Sequence, residues 1–193
     1  MFKDLIISRV RMKILALFFL NPGNKYHLRE IQRQTNEAMN AIRREMNHLA
    51  DSGFASAEFR GNRKYYVMRK DNPFYYDLFE LFNKEQGLGR ALLDKKTKLG
   101  KVKFIMISGT YVRGENHESS DVDLLIVGHV VLPEVLQVVK QEEQRRSTEI
   151  NYTVMTEDEF KFRKQRKDPF VERILKGPRV MIIGDEVELV KEF

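Results

Sequence analysis

Apolar positions along the first part of the chain recur first at helical and then at strand spacing. In Leu5–Leu20, the residues Ile6, Val10, Ile14, Leu17 and Phe18 fall on one face, which predicts a helix. Ser8 is placed to cap it, and Asn21-Pro22-Gly23 to stop it. A short helix is expected over Leu28–Thr35 with Ile31 inward. Over residues 36–53 a third helix keeps Ile42, Met46 and Leu49 on one stripe, with Gly53 as its C-cap. Two strand-like runs follow, Phe54–Phe59 and Lys64–Met68, joined by a basic hairpin turn, Arg60-Gly61-Asn62-Arg63. Asp71-Asn72-Pro73 breaks the pattern. Phe74, Tyr75, Leu78, Phe79, Leu81 and Phe82 then form an aromatic-rich amphipathic helix, expected to pack in a core or interface.

Beyond Asn83 the pattern alternates. A helix is expected over Leu88–Leu99, strands over Lys103–Ser108 and Val122–Val127, a helix over Pro133–Arg146, and a strand over Glu149–Met155. Helices over Glu157–Arg166 and Phe170–Lys176 follow, then a strand pair, Val180–Ile183 and Val187–Val190. This predicts a small α/β domain with a mixed sheet. Its centre is Lys101–Gly128, which reads as strand, turn, short helix, turn, strand. Asp121 and Asp123 sit one residue apart where the second strand begins, so in a strand they share a face. Two adjacent carboxylates repel, and a hard divalent cation, Mg²⁺ or Mn²⁺, is the natural neutraliser. Upstream, Gly109-Thr110 ends a strand before a helix, where backbone N–H groups and a hydroxyl can face an anion. A metal site facing a phosphate-binding turn points to phosphoryl or nucleotidyl transfer. By contrast, Gly87-Leu88-Gly89 follows no apolar strand and lacks the remaining glycine of a dinucleotide fingerprint.

Charge adds one distinction. The 193 residues carry a net charge of +6. Residues 1–83 hold 14 basic and 9 acidic side chains, and residues 84–193 hold 20 and 19. The basic excess of the first part points to a nucleic-acid partner. The chain has no Cys, so disulfides, thiolate metal sites and a Cys nucleophile are excluded. Ile14–Leu20 is too short to span a bilayer and no signal-peptide cleavage pattern is present, so a cytoplasmic protein with no membrane partner is expected.

Three helices followed by a basic hairpin, over about residues 5–70, resemble a winged helix-turn-helix DNA-binding domain. The resemblance implies a third helix in the major groove and a wing against the backbone or minor groove. Asn36, Asn40, Arg43 and Arg44 on that helix, and Arg60, Arg63 and Lys64 on the wing, would face DNA. Asn suits adenine, Arg suits guanine, and the wing cations suit phosphate. His48 on the third helix has no second His or Cys near it at metal spacing and is expected to be packed or at the surface. Winged-helix proteins that read DNA symmetrically are often dimers. The aromatic helix at 74–82 therefore either joins the domains or pairs two copies as a homodimer.

Gly109-Thr110, ten residues and then Asp121-x-Asp123, with Tyr111-Val112-Arg113-Gly114-Glu115 and Ser120-Asp121-Val122-Asp123-Leu124-Leu125, resembles the signature of minimal nucleotidyltransferases. These belong to the polymerase-beta-like nucleotidyltransferase superfamily. The whole chain is expected to be α+β: a winged helix-turn-helix with linker helix at 1–83, then a nucleotidyltransferase-like domain at 84–193. The resemblance implies that Asp121 and Asp123 hold metal, that Gly109 and Thr110 bind the phosphates of a nucleoside triphosphate, and that Arg113 contacts phosphate or holds the loop. It implies transfer of a nucleoside monophosphate to a hydroxyl acceptor. Some relatives act as antitoxins beside a toxin-like protein partner. Transferring members usually add a third carboxylate from the next strand. Here Glu149 or Asn151 stands there, and a neutral amide cannot act as a base. Two functions follow: a DNA-binding nucleotidyltransferase, or a DNA-binding regulator whose second domain is inactive and serves nucleotide sensing or protein interaction.

Overall fold

The computed structural model describes residues 8–113, 121–146 and 148–191. The expected helix start at residues 5–7, and Gly114, Glu115, Ser119 and Ser120 of the motif, lie outside the described residues. The chain divides into two compact units, residues 1–85 and 86–193.

The first unit runs α1 (Arg9–Phe19), β1 (Tyr26–His27), α2 (Leu28–Thr35), α3 (Met39–Asp51), β2 (Ala55–Arg60), β3 (Arg63–Met68) and α4 (Tyr75–Glu85). Its strands form an antiparallel sheet in the order β1-β3-β2. This is the winged helix-turn-helix arrangement. Ser8 caps α1, accepting from the Arg11 N–H at 3.2 Å, and its hydroxyl donates to Glu45 of α3 at 2.6 Å. That hydroxyl joins the start of one helix to the side of another. Ile14, Phe19, Ile31, Ile42 and Met46 are fully buried, so the helical stripes meet in one core. Gly53 ends α3 in a left-handed conformation (φ 77°), with the Gly53 N–H donating to Ala50 O and the Phe54 N–H to Leu49 O. That pairing is a Schellman stop. The aromatic helix α4 packs on α1: Phe82 stacks on Phe19 with ring centroids 5.3 Å apart. Removing either ring from water contributes about 2–3 kcal/mol.

Two details of this unit differ from the sequence pattern. The two-residue strand β1 carries no alternation to betray it. It exists because Tyr26 and His27 pair with Tyr66 and Tyr65 of the hairpin. Asn36 does not lie on the third helix. It ends α2 with φ 52°, its N–H donating to Gln32 O, and α3 begins at Met39. The short polar side chain of Asn tolerates that left-handed turn, which sets α2 against α3.

The second unit runs α5 (Gly87–Asp94), β4 (Gly100–Ser108), α6 (Gly109–Arg113), β5 (Leu124–Val130), α7 (Leu132–Arg146), β6 (Tyr152–Met155), α8 (Glu157–Gln165), α9 (Pro169–Lys176), β7 (Arg179–Ile183) and α10 (Glu186–Val190). The sheet has the order β6-β5-β4-β7. Among the described residues only β5 and β6 pair in parallel, so the sheet is mixed. Phe104, Met106, Leu125, Val127 and Met155 lie on the face that packs with Phe160 of α8 and Val171 and Ile174 of α9.

The helix expected to reach Leu99 stops at Asp94. Lys95-Lys96-Thr97-Lys98 offers no apolar residue to continue the stripe, and Leu99 buries itself from a turn instead. The strand expected at Val187–Val190 is helical. Asp185 caps it by accepting from the Glu188 N–H at 2.9 Å, Glu186 and Glu188 sit in its first turn, and only Leu189 of the segment is buried. Val-Glu-Leu-Val satisfies both periods over so few residues, and the cap decides.

Candidate active site

The ends of β4 and β5 bring the motif together. In the antiparallel ladder Ile107 pairs with Leu124, and the Ser108 N–H donates to Asp123 O at 2.7 Å. On the other side Leu124 pairs with Tyr152 of β6. The Asp123 N–H donates to Asn151 O at 2.7 Å, and the Asn151 N–H returns a bond to Asp123 Oδ2 at 2.9 Å. Asp123 therefore sits between β4 and the segment before β6, tied by its backbone to both. Its side chain is fully buried, where a carboxylate needs such a charge-assisted bond to offset lost hydration.

Asp121 and Asp123 were expected at the entry to a strand beginning at Val122, and β5 begins only at Leu124. The pair occupies the bend before it. Likewise β6 begins at Tyr152, so Glu149 and Asn151 precede the strand. Asn151 is level with Asp123 across the ladder. Glu149 is exposed.

Beside this pair lies a cleft of about 160 Å³ lined by Met106, Ser108, Thr110, Asp121, Val122, Phe170, Arg173, Ile174, Gly177 and Pro178. The hydroxyls of Ser108 and Thr110 are 2.6 Å apart, and the Thr110 N–H also reaches Ser108 Oγ at 3.3 Å. Gly109 starts α6, but its N–H donates to Pro178 O at 2.7 Å. The turn therefore offers hydroxyls to the cleft, and Gly109 serves by close approach: a Cβ there would stand 2.8 Å from Pro178 Cβ. Arg113 donates from Nε to Gly109 O at 3.0 Å, a bond that holds the turn, and it is not among the cleft-lining residues. Ser108 was missed in the sequence although a hydroxyl directly before Gly-Thr was visible. Arg173 had no local signal.

The donors available to a cation are hard oxygens, the chemistry of Mg²⁺ or Mn²⁺. Among the described residues no group of three or more His, Cys, Asp or Glu is placed to hold a metal. Mg²⁺ held by one or two carboxylates and completed by phosphates needs no such group, so Asp121 and Asp123 suit it.

The surface of the first unit carries the other predicted residues. Asn40, Arg43 and Arg44 are exposed on α3, as are Asn36 at the end of α2 and Arg60, Arg63 and Lys64 on the hairpin. Arg60 and Arg63 are directly paired across the turn. Glu58 binds Arg60 and Lys25, each at 2.8 Å, so part of the wing charge is neutralised within the unit. His48 is exposed. Among the described residues no helix is long and apolar enough to cross a membrane.

The family model described as Nucleotidyltransferase domain matches residues 90–177, a span that holds Gly109, Asp121, Asp123 and Arg173. A relative from Methanocaldococcus jannaschii, which carries the name of a putative protein adenylyltransferase, is 32% identical over 100 residues, 51% of this chain and 98% of that one. Among solved structures the chain is similar to the homodimeric winged helix-turn-helix DNA-binding domain of a Mycobacterium bovis protein. That likeness has 20% identity and a TM-score of 0.31 over 46% of this chain and 70% of the other. With almost the full length of the archaeal relative matched and the motif residues gathered at one sheet end, this chain belongs to the nucleotidyltransferase-domain family.

Proposed function

We propose that this protein transfers a nucleoside monophosphate, in the first instance adenylate, from its triphosphate to a hydroxyl on a partner protein. In this reading its winged helix binds DNA and regulates expression of its own operon. The observation that carries the proposal is the cleft bordered by the Ser108 and Thr110 hydroxyls and by Asp121, with Asp123 pinned two residues on. The choice of adenylate and of a protein acceptor follows the name of the archaeal relative.

In this reading the two hydroxyls hydrogen-bond phosphate oxygens, while Gly109, having no side chain, lets α6 stay against Pro178. Asp121 and Asp123 would hold Mg²⁺, which would supply positive charge against the phosphates and the pyrophosphate leaving group. Glu149, which is exposed and is not among the described residues lining the cleft, is the carboxylate that would take the proton of the acceptor hydroxyl as the acceptor docks. The products are a nucleotidylated hydroxyl and pyrophosphate. A toxin-like protein encoded beside this one is the acceptor we would test first.

A second reading has its own observation. Asn151, level with Asp123, is a neutral amide and cannot accept a proton. The domain would then bind nucleotide without transferring it and report its level to the DNA-binding unit. One experiment separates the two. Wild type and Asp121→Asn with Asp123→Asn are melted with ATP or GTP and Mg²⁺, then incubated with labelled nucleotide and the neighbouring gene's product. Asn keeps an acceptor for the Asn151 N–H, so the double variant should fold. Under the first reading, nucleotide binding is expected to raise the melting temperature of the wild type but not of the double variant, and the partner to gain one nucleotide's mass. Stabilisation without added mass selects the second reading. A wild type indifferent to both nucleotides sinks both.

A further inference from the structure

We infer that Arg173 of α9 is the cation that grips the phosphates of the nucleotide, an inference that rests on the nucleotide-binding reading above. Among the described residues lining the cleft, Arg173 is the one cation, and it stands in the same lining as Asp121, Ser108 and Thr110. A nucleoside triphosphate entering beside two carboxylates retains negative charge even with one divalent ion bound. Two hydroxyls offer dipoles but no charge. A guanidinium offers a planar fork that takes two phosphate oxygens at once.

The helix that carries Arg173 is fixed at both ends. Asp168 caps its start, accepting from the Phe170 and Val171 N–H groups at 2.9 and 3.2 Å, and Pro169 presets its first turn. At its end Arg179 donates to the Leu175 carbonyl and, at 2.9 Å, to Gly177 O. The next residue, Pro178, accepts from Gly109. The same backbone therefore holds α9 and the Gly109-Thr110 turn in one arrangement. Val171 and Ile174 are buried beneath the helix, which leaves Arg173 at the cleft and solvent edge. The arginine singled out by the motif, Arg113, bonds the Gly109 carbonyl of its own helix instead.

The test is titration calorimetry of the full chain with ATP, AMP and adenosine at fixed Mg²⁺. Arg173→Gln is expected to weaken ATP binding by about 10- to 100-fold, the effect of removing one charge-assisted hydrogen-bonding group. The effect should be smaller for AMP and absent for adenosine. Arg173→Lys should fall between, keeping charge without the fork. Lys176→Gln, on the same helix and paired with Glu172 at 2.9 Å, should stay within about twofold of wild type, as expected of a screened surface charge. Equal ATP affinity in wild type and Arg173→Gln overturns this assignment and leaves the proposed function standing. An equal loss for adenosine overturns it too, because the damage would then not follow phosphate. A wild type that binds no ATP removes the nucleotide-binding reading and this inference together.

Discussion

Gly109 has no room for a side chain. Its Cα faces Pro178 so closely that an added Cβ would lie 2.8 Å from Pro178 Cβ and 3.1 Å from Pro178 C, one of them backbone that cannot swing aside. Gly109→Ala should therefore destabilise the second unit by about 1–3 kcal/mol, the range of overpacking, readable as a lower urea midpoint at unchanged slope. Gly53 is the contrast: its φ of 77° favours glycine, yet no atom lies within 4 Å of an added Cβ. In the first unit Glu37 is 9% exposed and gathers Lys13 at 2.7 Å and Arg9 at 3.0 Å. The Lys13 ammonium beside it, then the hydrogen bond from Arg9, hold its carboxyl below the ordinary glutamate value of 4.5. A lowered folded pKa means the unfolded chain takes the proton first. The contribution of Glu37 is present above 4.5 and is lost as pH falls through the folded value. Glu37→Gln should thus flatten the acid side of the pH–melting curve below that pH and lower stability near neutrality. A wild-type acid limb unchanged by the substitution would contradict the assignment.

Elements decide what the individual residues can reach. In the proposed DNA complex α3 presents Asn40, Arg43 and Arg44, while the β2–β3 hairpin presents Arg60, Arg63 and Lys64. These two elements should fail differently. Arg43→Ala with Arg44→Ala should weaken binding and relax sequence preference, by about 1–3 kcal/mol for each bidentate hydrogen-bonded pair with a base that the substitution removes. Arg63→Ala should weaken all sequences alike and reduce the slope of log affinity against log salt by about one. Arg60→Ala should do less than Arg63→Ala, because Glu58 already holds that guanidinium at 2.8 Å. Fluorescence anisotropy over a salt series reads all three. A wild type without salt-dependent affinity would remove the DNA-binding half of the proposal. In the second unit the parallel β5–β6 pairing sets Asn151, rather than Glu149, level with Asp123.

The chain as a whole divides into two compact units. The basic excess lies almost wholly in the first, while the second is close to neutral and holds the paired carboxylates. A ligand that binds only one folded unit stabilises that unit by mass action, about 2.7 kcal/mol at one hundred times its dissociation constant. Scanning calorimetry of the full chain should therefore resolve two transitions. ATP with Mg²⁺ should raise one and duplex DNA the other, and Asp121→Asn with Asp123→Asn should abolish only the first shift. Both transitions moving together with either ligand would show that the units unfold as one body, and the assignment of one ligand to each would fail.

The amino-acid sequence determined what is local. Helical stripes at Ile14, Ile42 and Leu49, the Ser8 and Gly53 caps, the Arg60–Arg63 turn and the Gly109-Thr110 to Asp121-x-Asp123 spacing were all legible. Each depends on residues close along the chain, or on two strands joined by a short connection. Where only a few residues were available, as at Val187–Val190, the two periods could not be told apart and a cap on Asp185 chose the helix. What the sequence could not determine was which distant residues share the cleft. Asn151 reaches Asp123 through strand register, and Arg173 lines the same cleft as Thr110 and Asp121 because α9 packs on the sheet through Val171 and Ile174. The stretch from Thr110 to Asp123 identified the family. Only the tertiary fold could add the arginine, because a charged residue on an amphipathic helix looks the same in sequence whether it meets water or a phosphate.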